Sequence, residues 1–188
     1  MEAIAALHSR VSQSALVEPA PTGAQLDNIQ RAALRAADHA MLRPWRFLVI
    51  EGEGRRRLGE LFVRAREARE GELSERERER TLGRPLRAPL LIATIAACKT
   101  NTKVPEIEQL LSAGAAMQNM LNAAHAEGVG AMWRTGEFAY DPVVKAGLGV
   151  GAAEHIVGFL YLGTIGEARP SPTPLDPAQF FVPWGADR

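Results

Sequence analysis

The sequence predicts an α+β domain in which helices flank a central sheet, and two of its segments carry this prediction. Residues 90–97 form an apolar run of strand length, Leu-Leu-Ile-Ala-Thr-Ile-Ala-Ala, which favours a strand covered on both faces. Residues 105–127 have the longest helical pattern, with apolar residues on one stripe and small residues at 113–116. At 1.5 Å per residue this helix would span roughly 30 Å, about the width of a domain, so we expect it to be the central helix.

The other elements are predicted from apolar periodicity that is bounded by proline, glycine and charged residues. Helices are expected at residues 2–9, 22–35 and 55–82 and from residue 141, and strands at 45–50, 130–135 and 156–162. The residues Thr22 and Gln25 have the spacing of a capping box, which predicts that the second helix begins there. The last 25 residues have no periodicity, so we expect them to pack on something else, such as a partner subunit.

The segment 55–82 is helical in pattern and strongly charged. Acidic and arginine residues alternate over residues 74–80, which places opposite charges at i, i+3, as in Glu75 with Arg78 and Glu77 with Arg80. Like charges fall at i, i+4, so attraction and repulsion nearly cancel. This pattern indicates a solvated surface segment.

Length and composition predict one globular domain over residues 1–188. The chain has 188 residues, 46% of them hydrophobic, and its 22 basic side chains equal its 22 acidic ones. A chain with no excess positive charge lacks the potential that collects a polyanion, so we expect no nucleic-acid partner. It also has no signal-peptide pattern and no stretch of about 18 uncharged apolar residues, so we expect no membrane association and a cytoplasmic location.

Common catalytic and cofactor motifs are missing from the sequence. The glycines Gly52 and Gly54 follow a predicted strand, as in a dinucleotide-binding fingerprint, but Arg57 stands where the third glycine is needed. Four histidines are too dispersed to suggest a metal site, and Cys98 ends an apolar run where an inert thiol is expected. The sequence therefore predicts no metal site and no catalytic acid, base or nucleophile.

Several polar residues follow the ends of predicted elements, and each has a structural alternative to a ligand contact. Arg10 fits a helix-terminal charge, and Arg35 fits the carbonyl end of a helix dipole. His39 fits a hydrogen-bonded surface residue in a loop, and Trp133 fits a core residue. Single residues of these types leave both interpretations open.

Taken together, the segments that contain these residues resemble the nitroreductase family, and in particular its compact branch of NAD(P)H nitroreductases. Two of the motifs are Arg-Ala-Ala-Asp-His at 35–39 and Trp-Arg-Thr-Gly at 133–136. The resemblance runs from about Ile4 to Val182. The other segments that carry it are residues 18–23, 44–47 with 49–54, 87–90, 103–105, 112–114 and 156–163.

The resemblance implies a nitroreductase-like α+β fold with a mixed or antiparallel sheet, and a homodimer whose C-terminal segment, near residues 179–182, crosses to the partner. It also implies a flavin mononucleotide (FMN) site, to which Arg35 could contribute across the dimer interface. The residues implied to contact FMN are Arg10, Val11, Ser12, Arg35, His39, Trp133, Arg134 and Thr135. The residues implied to meet the nicotinamide nucleotide are Ala123, Ala124, His125, Ala126, Glu127 and Gly128.

Two positions depart from the branch, which usually has arginine where this chain has Val11 and Ala15. FMN's phosphate carries close to two negative charges, and valine lacks the charged donors that arginine offers. We therefore expect weaker retention of FMN than in relatives, or compensation by Arg134 or another basic residue.

The resemblance implies an FMN-dependent NAD(P)H oxidoreductase in which hydride passes from NADH or NADPH through flavin N5 to a nitroaromatic, a quinone or a similar acceptor. Arg10 or Arg35 is the expected cation near flavin N1. Two alternatives remain open, namely a flavin-binding dimer with little turnover, and a specialised flavin dehydrogenase or reductase with another acceptor. The sequence does not distinguish NADH from NADPH.

Overall fold

The structure is a computed structural model that describes residues 1–100 and 103–185, and it confirms the α+β class. The helices are α1 (Ala3–Ser9), α2 (Gly23–Ala33), α3 (Glu53–Glu70), α4 (Glu75–Leu82), α5 (Glu106–Ala126), α6 (Glu137–Tyr140) and α7 (Pro142–Gly147). The strands are β1 (Ala15–Val17), β2 (Trp45–Glu51), β3 (Leu90–Ala97), β4 (Gly130–Arg134) and β5 (Glu154–Glu167). No described helix is both long enough and apolar enough to cross a bilayer.

All the strand pairs are antiparallel, and β5 holds the sheet together. Its first part lies between β3 and β4, so that Leu160 is opposite both Ile92 and Trp133. Its last part pairs with β1, and β3 pairs with β2 on the other side. Because β5 pairs with three strands, it continues to Glu167, well past the predicted end of this strand at residue 162.

The sheet has an apolar cluster on each face, which confirms that the third strand is covered on both sides. Leu91 and Ile95 pack with α3, α6 and α7 on one face, whereas Leu90 and Ile92 pack with α2 and α5 on the other. Seven of the eight residues of β3 are buried. The helix α5 contributes fully buried Met117 to the second cluster, as expected of a central helix.

Two of the predicted helices differ from the structure, and the residues at those points explain why. The capping box expected at Thr22 does not form: Thr22 is the N-cap without a side-chain bond, and Gln25 Nε2 donates to the carbonyl oxygen of Glu127 at 3.1 Å. The charged segment 55–82 is two helices, because the chain turns at Gly71 with φ 86°. Ser74 caps α4 in a capping box with Glu77.

The expected charge pairs within α4 are replaced by pairs between α3 and α4. Arg78 donates to Glu67 at 2.6 Å instead of pairing with Glu75. The carboxylate of Glu77 accepts from Ser74 instead of pairing with Arg80. The segment is therefore a helical hairpin whose charges join its two arms.

After β5 the described chain has only a short 3-10 turn at Pro177–Gln179. Its large apolar side chains are exposed: Phe180, Phe181, Val182 and Trp184. Residues 186–188 of the aperiodic tail lie outside the described part. The expectation that the tail crosses to a partner subunit stays a prediction.

Candidate active site

A cavity of about 360 Å³ lies where the segment between α4 and β3 meets the end of β4. Four arginines from these elements line it: Arg80, Arg84, Arg87 and Arg134. Thr135 and Gly136, which follow β4 directly, also line it. We call this space the arginine cavity.

Buried aromatic side chains form the floor of the arginine cavity. Phe62 stacks on Phe138 with ring centroids 4.0 Å apart, and it meets Phe159 edge-on at 5.6 Å. Arg84 lies 4.9 Å above the ring of Phe138, and Arg134 lies 5.3 Å from the ring of Tyr161. Cation–π contacts of this kind hold the guanidinium groups over an apolar surface.

The positive charge of the arginine cavity is largely uncompensated. Arg84 donates to Glu137 at 3.2 Å, but Glu137 also accepts from Arg69 at 3.0 Å. Arg80, Arg87 and Arg134 have no ion pair within the described ranges. Fixed cations without counter-charges attract anions.

Arg134 differs from the other three arginines of the cavity in having a buried side-chain donor, its Nε atom, without a partner among the described residues. Burial lowers the pKa of Arg134, and the nearby charges of Arg87 and Arg169 lower it further. Burial also raises the pKa of Tyr161, while the neighbouring arginines oppose that shift. A buried donor without a partner is a candidate contact for a ligand.

Trp133 precedes Arg134 in β4 and therefore points to the opposite face of the sheet. Its indole packs with the α5 cluster and reaches Gly114, and its Nε1 is buried without a partner among the described residues. The indole crosses close to Gly158, where any Cβ atom would collide with Trp133 Nε1. Trp133 therefore packs on this face with a buried donor that is also a candidate contact for a ligand, and the side chain of Arg134 lines a different space. The expectation that Trp133 contacts FMN stays a prediction.

The structure brings the loop after α1 together with the last turn of α5. Arg10, Val11, His125 and Gly128 line a cavity of about 160 Å³. His125 Nε2 lies 2.9 Å from the Ser9 hydroxyl oxygen. Burial lowers the pKa of His125 and the charge of Arg10 lowers it further, so both effects favour the neutral imidazole.

The remaining residues of the segment 123–128 differ in accessibility. The side chain of Ala124 is fully buried in the α5 cluster, whereas Ala123 and Ala126 are half-buried. Glu127 accepts from Asn28 at 2.7 Å and so faces α2. The segment therefore serves to join α5 to α2 as well as to line the small cavity. Ser12 is half-buried in the loop beside it.

Arg35 and His39 lie near the end of α2, apart from both the arginine cavity and the small cavity beside His125. Arg35 is exposed and lines a cavity of about 540 Å³ with Asp38, Arg43 and Trp45. His39 Nδ1 lies 2.6 Å from Glu108 Oε2, so His39 is joined to the first turn of α5.

The loop that carries His39 has an unusual backbone. Ala40, Met41 and Arg43 have φ values of 60°, 54° and 49°, although none of them is glycine. Asp38 Oδ2 accepts from the backbone N–H of Arg43 at 2.7 Å and helps to hold this conformation. Strained backbone of this kind is frequent at ligand-binding sites.

Arg169, which follows β5, was not singled out by the sequence. Its backbone N–H donates to Gln13 Oε1 at 2.9 Å, and its guanidinium donates to the Ser14 hydroxyl at 2.8 Å. It therefore places a cation on the loop that carries Ser12, and its charge also acts on Arg134. The only signal was the general expectation of a compensating basic residue, because no motif surrounds Arg169.

The predicted residues thus occupy three places, and sequence reasoning missed part of the largest charge cluster. Arg134 and Thr135 are in the arginine cavity, Arg10 and Val11 are beside His125, and the Arg35 loop stands alone. Arg80 was missed because the alternating charges were interpreted as a solvated surface, and Arg84 was missed because no motif surrounds it. No cluster of His, Cys, Asp and Glu side chains in the described ranges suits a metal ion.

Comparison with known proteins gives consistent matches over most of the chain. The profile of the Nitroreductase family matches residues 7–164. The Escherichia coli K12 protein named "Putative NAD(P)H nitroreductase YdjA" is 46% identical over 164 residues, which cover 87% of this chain and 88% of that protein. A Haemophilus influenzae protein named "Putative NAD(P)H nitroreductase" is 33% identical, with 87% of this chain and 89% of that protein covered.

Solved structures share the fold at lower sequence identity. A nitroreductase-like family protein from Bacillus cereus superposes with a TM-score of 0.83 at 22% identity, and the match covers 99% of this chain and 97% of that chain. A nitroreductase with bound FMN from Bacteroides fragilis superposes with a TM-score of 0.72 at 21% identity, covering 97% and 98%. These similarities establish that the fold is that of nitroreductases.

Proposed function

Because this chain belongs to the nitroreductase family, we propose that it is an FMN-dependent NAD(P)H oxidoreductase. The names of its relatives describe NAD(P)H nitroreductases, and one protein of the same fold contains FMN. FMN, when bound, accepts a hydride from NADH or NADPH and passes the electrons to a second substrate. The proposed second substrate is a nitroaromatic compound, a quinone or a similar acceptor.

The observation that carries this proposal is the unpaired cationic cluster around Arg134. FMN has a phosphate with close to two negative charges, and its ring system gains negative charge on reduction. The buried Nε of Arg134 lacks a partner within the described residues, and Arg87 and Arg169 are close enough to lower the pKa of Arg134. These groups fit an anionic cofactor, because a bound anion would supply the missing acceptor and counter-charge.

Arg169 would compensate for the arginines that this chain lacks at Val11 and Ala15. It is tethered to the loop that precedes β1 by Gln13 and Ser14. A guanidinium held in this way keeps further N–H donors available for a phosphate. In this proposal Ser12 and Arg169 hold the phosphate side of the cofactor.

We further propose that two copies of the chain complete the site. Arg35 lines a cavity whose described lining includes neither Arg10 nor Arg134. The exposed apolar residues Ile4 and Leu7 on α1 and Ile107 and Leu111 on α5 support an interface with a second copy. The exposed aromatic side chains of residues 180–184 would then be covered by the partner.

The chain would contribute orientation and charge rather than an acid or a base. Arg10 or Arg35 is the proposed cation near flavin N1, where negative charge develops on reduction. A backbone N–H group near the end of β4, or at the turn of Pro44 and Trp45, is the proposed donor toward flavin N5 or O4. His125 would remain neutral, because burial and Arg10 lower its pKa. The segment 123–128 is the proposed contact of the nicotinamide nucleotide.

The visible absorbance of the purified protein tests this proposal directly. We expect the flavin spectrum, its bleaching by NADH or NADPH without oxygen, and a molecular mass of two chains. A protein that is monomeric and colourless after incubation with excess FMN would contradict the proposal. Arg76, which is exposed on α4, offers a control, because Arg76→Gln should retain FMN like the unmodified protein whereas Arg169→Gln should lose it.

A second candidate is a flavin-binding dimer with little turnover, and the valine at position 11 favours it. Val11 lines the small cavity beside His125, where an arginine would add charge. A protein that retains FMN but is not bleached by either nicotinamide nucleotide would support this candidate. Rapid bleaching followed by slow reoxidation with nitroaromatics and quinones would instead indicate a specialised acceptor.

A further inference from the structure

We propose that Thr94 is a positioning residue for Trp133. Its hydroxyl group, directly or through one buried water molecule, accepts from the indole N–H of Trp133, and this bond fixes the end of β4. The consequence for the cofactor rests on the proposed function, because Arg134 and Thr135 stand at that end of β4. The bond itself is measurable without FMN.

The buried side-chain polar atoms that lack a partner in the described ranges are gathered in one part of the sheet. They are Thr94 Oγ1, Trp133 Nε1 and Arg134 Nε. Trp133 and Arg134 are neighbours in β4, and Thr94 lies on β3, which is separated from β4 only by β5. Because buried polar groups in folded proteins are almost always hydrogen-bonded, each of these atoms calls for a partner.

Thr94 and Trp133 face the same side of the sheet. Ile92 packs in the cluster with α5, and Thr94 is two residues further along β3, so the alternation of side chains places it on the same face. Trp133 packs against that cluster as well. Arg134 lies beside the ring of Tyr161 on the other face, so its partner is a separate question.

Gly158 of β5 brings the two side chains close to each other. It is the residue of β5 opposite Thr94, and a Cβ atom on it would collide with Trp133 Nε1. The indole N–H therefore occupies the space that a side chain at position 158 would take. Directly opposite residues of an antiparallel pair have Cβ atoms about 4.5–5.5 Å apart. The Thr94 hydroxyl is thus the neighbour of the indole N–H across one step of the sheet.

The burial of both atoms limits what their partner can be. Thr94 is fully buried, and Trp133 Nε1 is buried although the indole as a whole is only half-buried. A flavin or nicotinamide ring is too large to reach this depth, whereas a neighbouring hydroxyl or one water molecule is small enough. Because a threonine hydroxyl both accepts and donates, either arrangement gives both atoms a partner. The exposed part of the indole remains available to a flavin.

The indole of Trp133 joins the sheet to the central helix. Its Nε1 atom lies against β5, and its Cη2 atom lies 4.0 Å from the position of a Cβ atom on Gly114 in α5. A ring that is fixed at both ends holds β4 against β5 and α5. Arg134 and Thr135 follow Trp133 directly, so the same contact fixes where their groups leave the strand. Thr94 therefore acts on the proposed flavin contacts through Trp133.

The first experiment is a double-mutant cycle on the full chain without FMN, with Tm as the measurement. A Thr94 hydroxyl without a partner would make Thr94→Val stabilising, because a methyl group of similar shape would replace a buried polar group that forms no bond. We expect Thr94→Val to lower the Tm instead. In the background of Trp133→Phe, which has no indole N–H, the same substitution should raise the Tm.

The second experiment observes the indole N–H signals of the three tryptophans by NMR, and it does not require Trp133→Phe to fold. Trp45→Phe and Trp184→Phe identify the Trp133 signal by elimination. Thr94→Val should move this signal upfield, because the acceptor is lost, whereas Thr94→Ser should leave it near its original position. The signal of fully exposed Trp184 should not move in either variant. Cross-relaxation of the Trp133 N–H with water would identify the bridged arrangement.

FMN titration separates a positioning residue from a merely structural one. Thr94→Val should weaken FMN binding about fivefold, the order of one neutral hydrogen bond, and Thr94→Ser, which keeps the hydroxyl, should restore it. Unchanged FMN binding in Thr94→Val, with the coupling to Trp133 present, would overturn the positioning role.

The bond between Thr94 and Trp133 has its own contrary outcomes. A Tm that Thr94→Val changes equally in both backgrounds would overturn it, and so would an unmoved Trp133 signal in that variant. A protein that never binds FMN but shows the coupling would contradict the proposed function and still support the bond.

Discussion

The hairpin of α3 and α4 and the arginine cavity use the same residue type in opposite ways. In the hairpin, Arg66 binds Glu70 and Arg78 binds Glu67, so each of these two cations has a carboxylate. In the cavity, Arg87 and Arg134 have no such partner within the described chain. The two regions share α4, and they differ in whether a carboxylate lies beside the arginines that are partly buried.

The comparison also qualifies what net charge can reveal. The whole chain has equal numbers of basic and acidic side chains, which argues against a polyanionic partner. The arginine cavity is nevertheless cationic, because Glu137 is the acidic side chain paired with its four arginines in the described ranges, and Arg69 shares it. A neutral chain can therefore present a site for a small anion.

The largest expected change in the free energy of unfolding is at Arg66, one of the paired arginines of the hairpin. Its side chain is only 15% exposed, and it also donates to the buried Thr81 hydroxyl at 3.0 Å. Arg66→Ala should lower the free energy of unfolding by about 2 kcal/mol, because it leaves Thr81 without its donor and removes packing. Urea denaturation would measure this, with the exposed Arg64→Ala as the matched control. An equal effect of both variants would contradict the assignment of Arg66 as a structural residue.

Replacing Arg134, which has no ion pair in the described chain, is expected to increase the free energy of unfolding instead of lowering it. The lowered pKa of Arg134 shows that its charged form is disfavoured there. Arg134→Met should therefore stabilise the protein without FMN, by no more than about 1 kcal/mol because solvent still screens part of the guanidinium. The same variant should bind FMN about tenfold more weakly. Denaturation and FMN titration measure the two effects, and a clear loss of stability would show that Arg134 is a structural residue.

Acid should lower the stability of the protein by protonating the carboxylates that are paired with arginines. Hydrogen bonds from Arg46 lower the pKa of Glu154 to about 2, and those from Arg66 and Arg69 lower the pKa of Glu70 to about 2. A carboxyl group with a lowered folded-state pKa stabilises the protein above its unfolded pKa, and this contribution is lost as the pH falls from about 4.5 to about 2.

The variant Glu154→Gln tests this pH dependence. It should have a lower Tm at neutral pH, and its Tm should fall less steeply than that of the unmodified protein between pH 4.5 and pH 2. Thermal unfolding at several pH values measures the slopes. Parallel slopes would show that the bond between Arg46 and Glu154 does not contribute to acid stability.

The smallest effect is expected at a paired arginine that is fully open to solvent. Arg31 binds Asp27 at 2.6 Å within α2, and both side chains are more than half exposed. Water and salt screen such pairs, so Arg31→Ala should cause no resolvable change in Tm. A clear decrease would mean that pairing alone stabilises the protein, regardless of burial.

The sequence predicted the elements whose signals are local and repeated. The strand β3 and the helix α5 follow from an apolar run and an apolar stripe. The strand β1 has only three residues, too few for a period, and it exists because β5 extends beyond its apolar part to pair with it. The break after α3 had a local signal at Gly71 and Ser74, but the continuous charge pattern concealed it.

The candidate site was only partly predictable, because it depends on contacts between distant segments. Arg134 and Thr135 were implied by the resemblance, and the structure adds Arg80, Arg84 and Arg87 to the same cavity. These arginines meet the end of β4 only because β3 and β4 both pair with β5. No spacing along the chain encodes that contact.

The long strand β5 limits how this protein can vary. Phe159 and Tyr161 face the arginine cavity, while Leu160 and Leu162 between and beside them face the central helix. Inserting one residue before Phe159 would reverse these orientations from that point, putting leucines under the arginines and aromatic rings against α5. Changes of length should therefore be tolerated in the chain after Arg169 and rejected within the middle of β5, whatever residue is added.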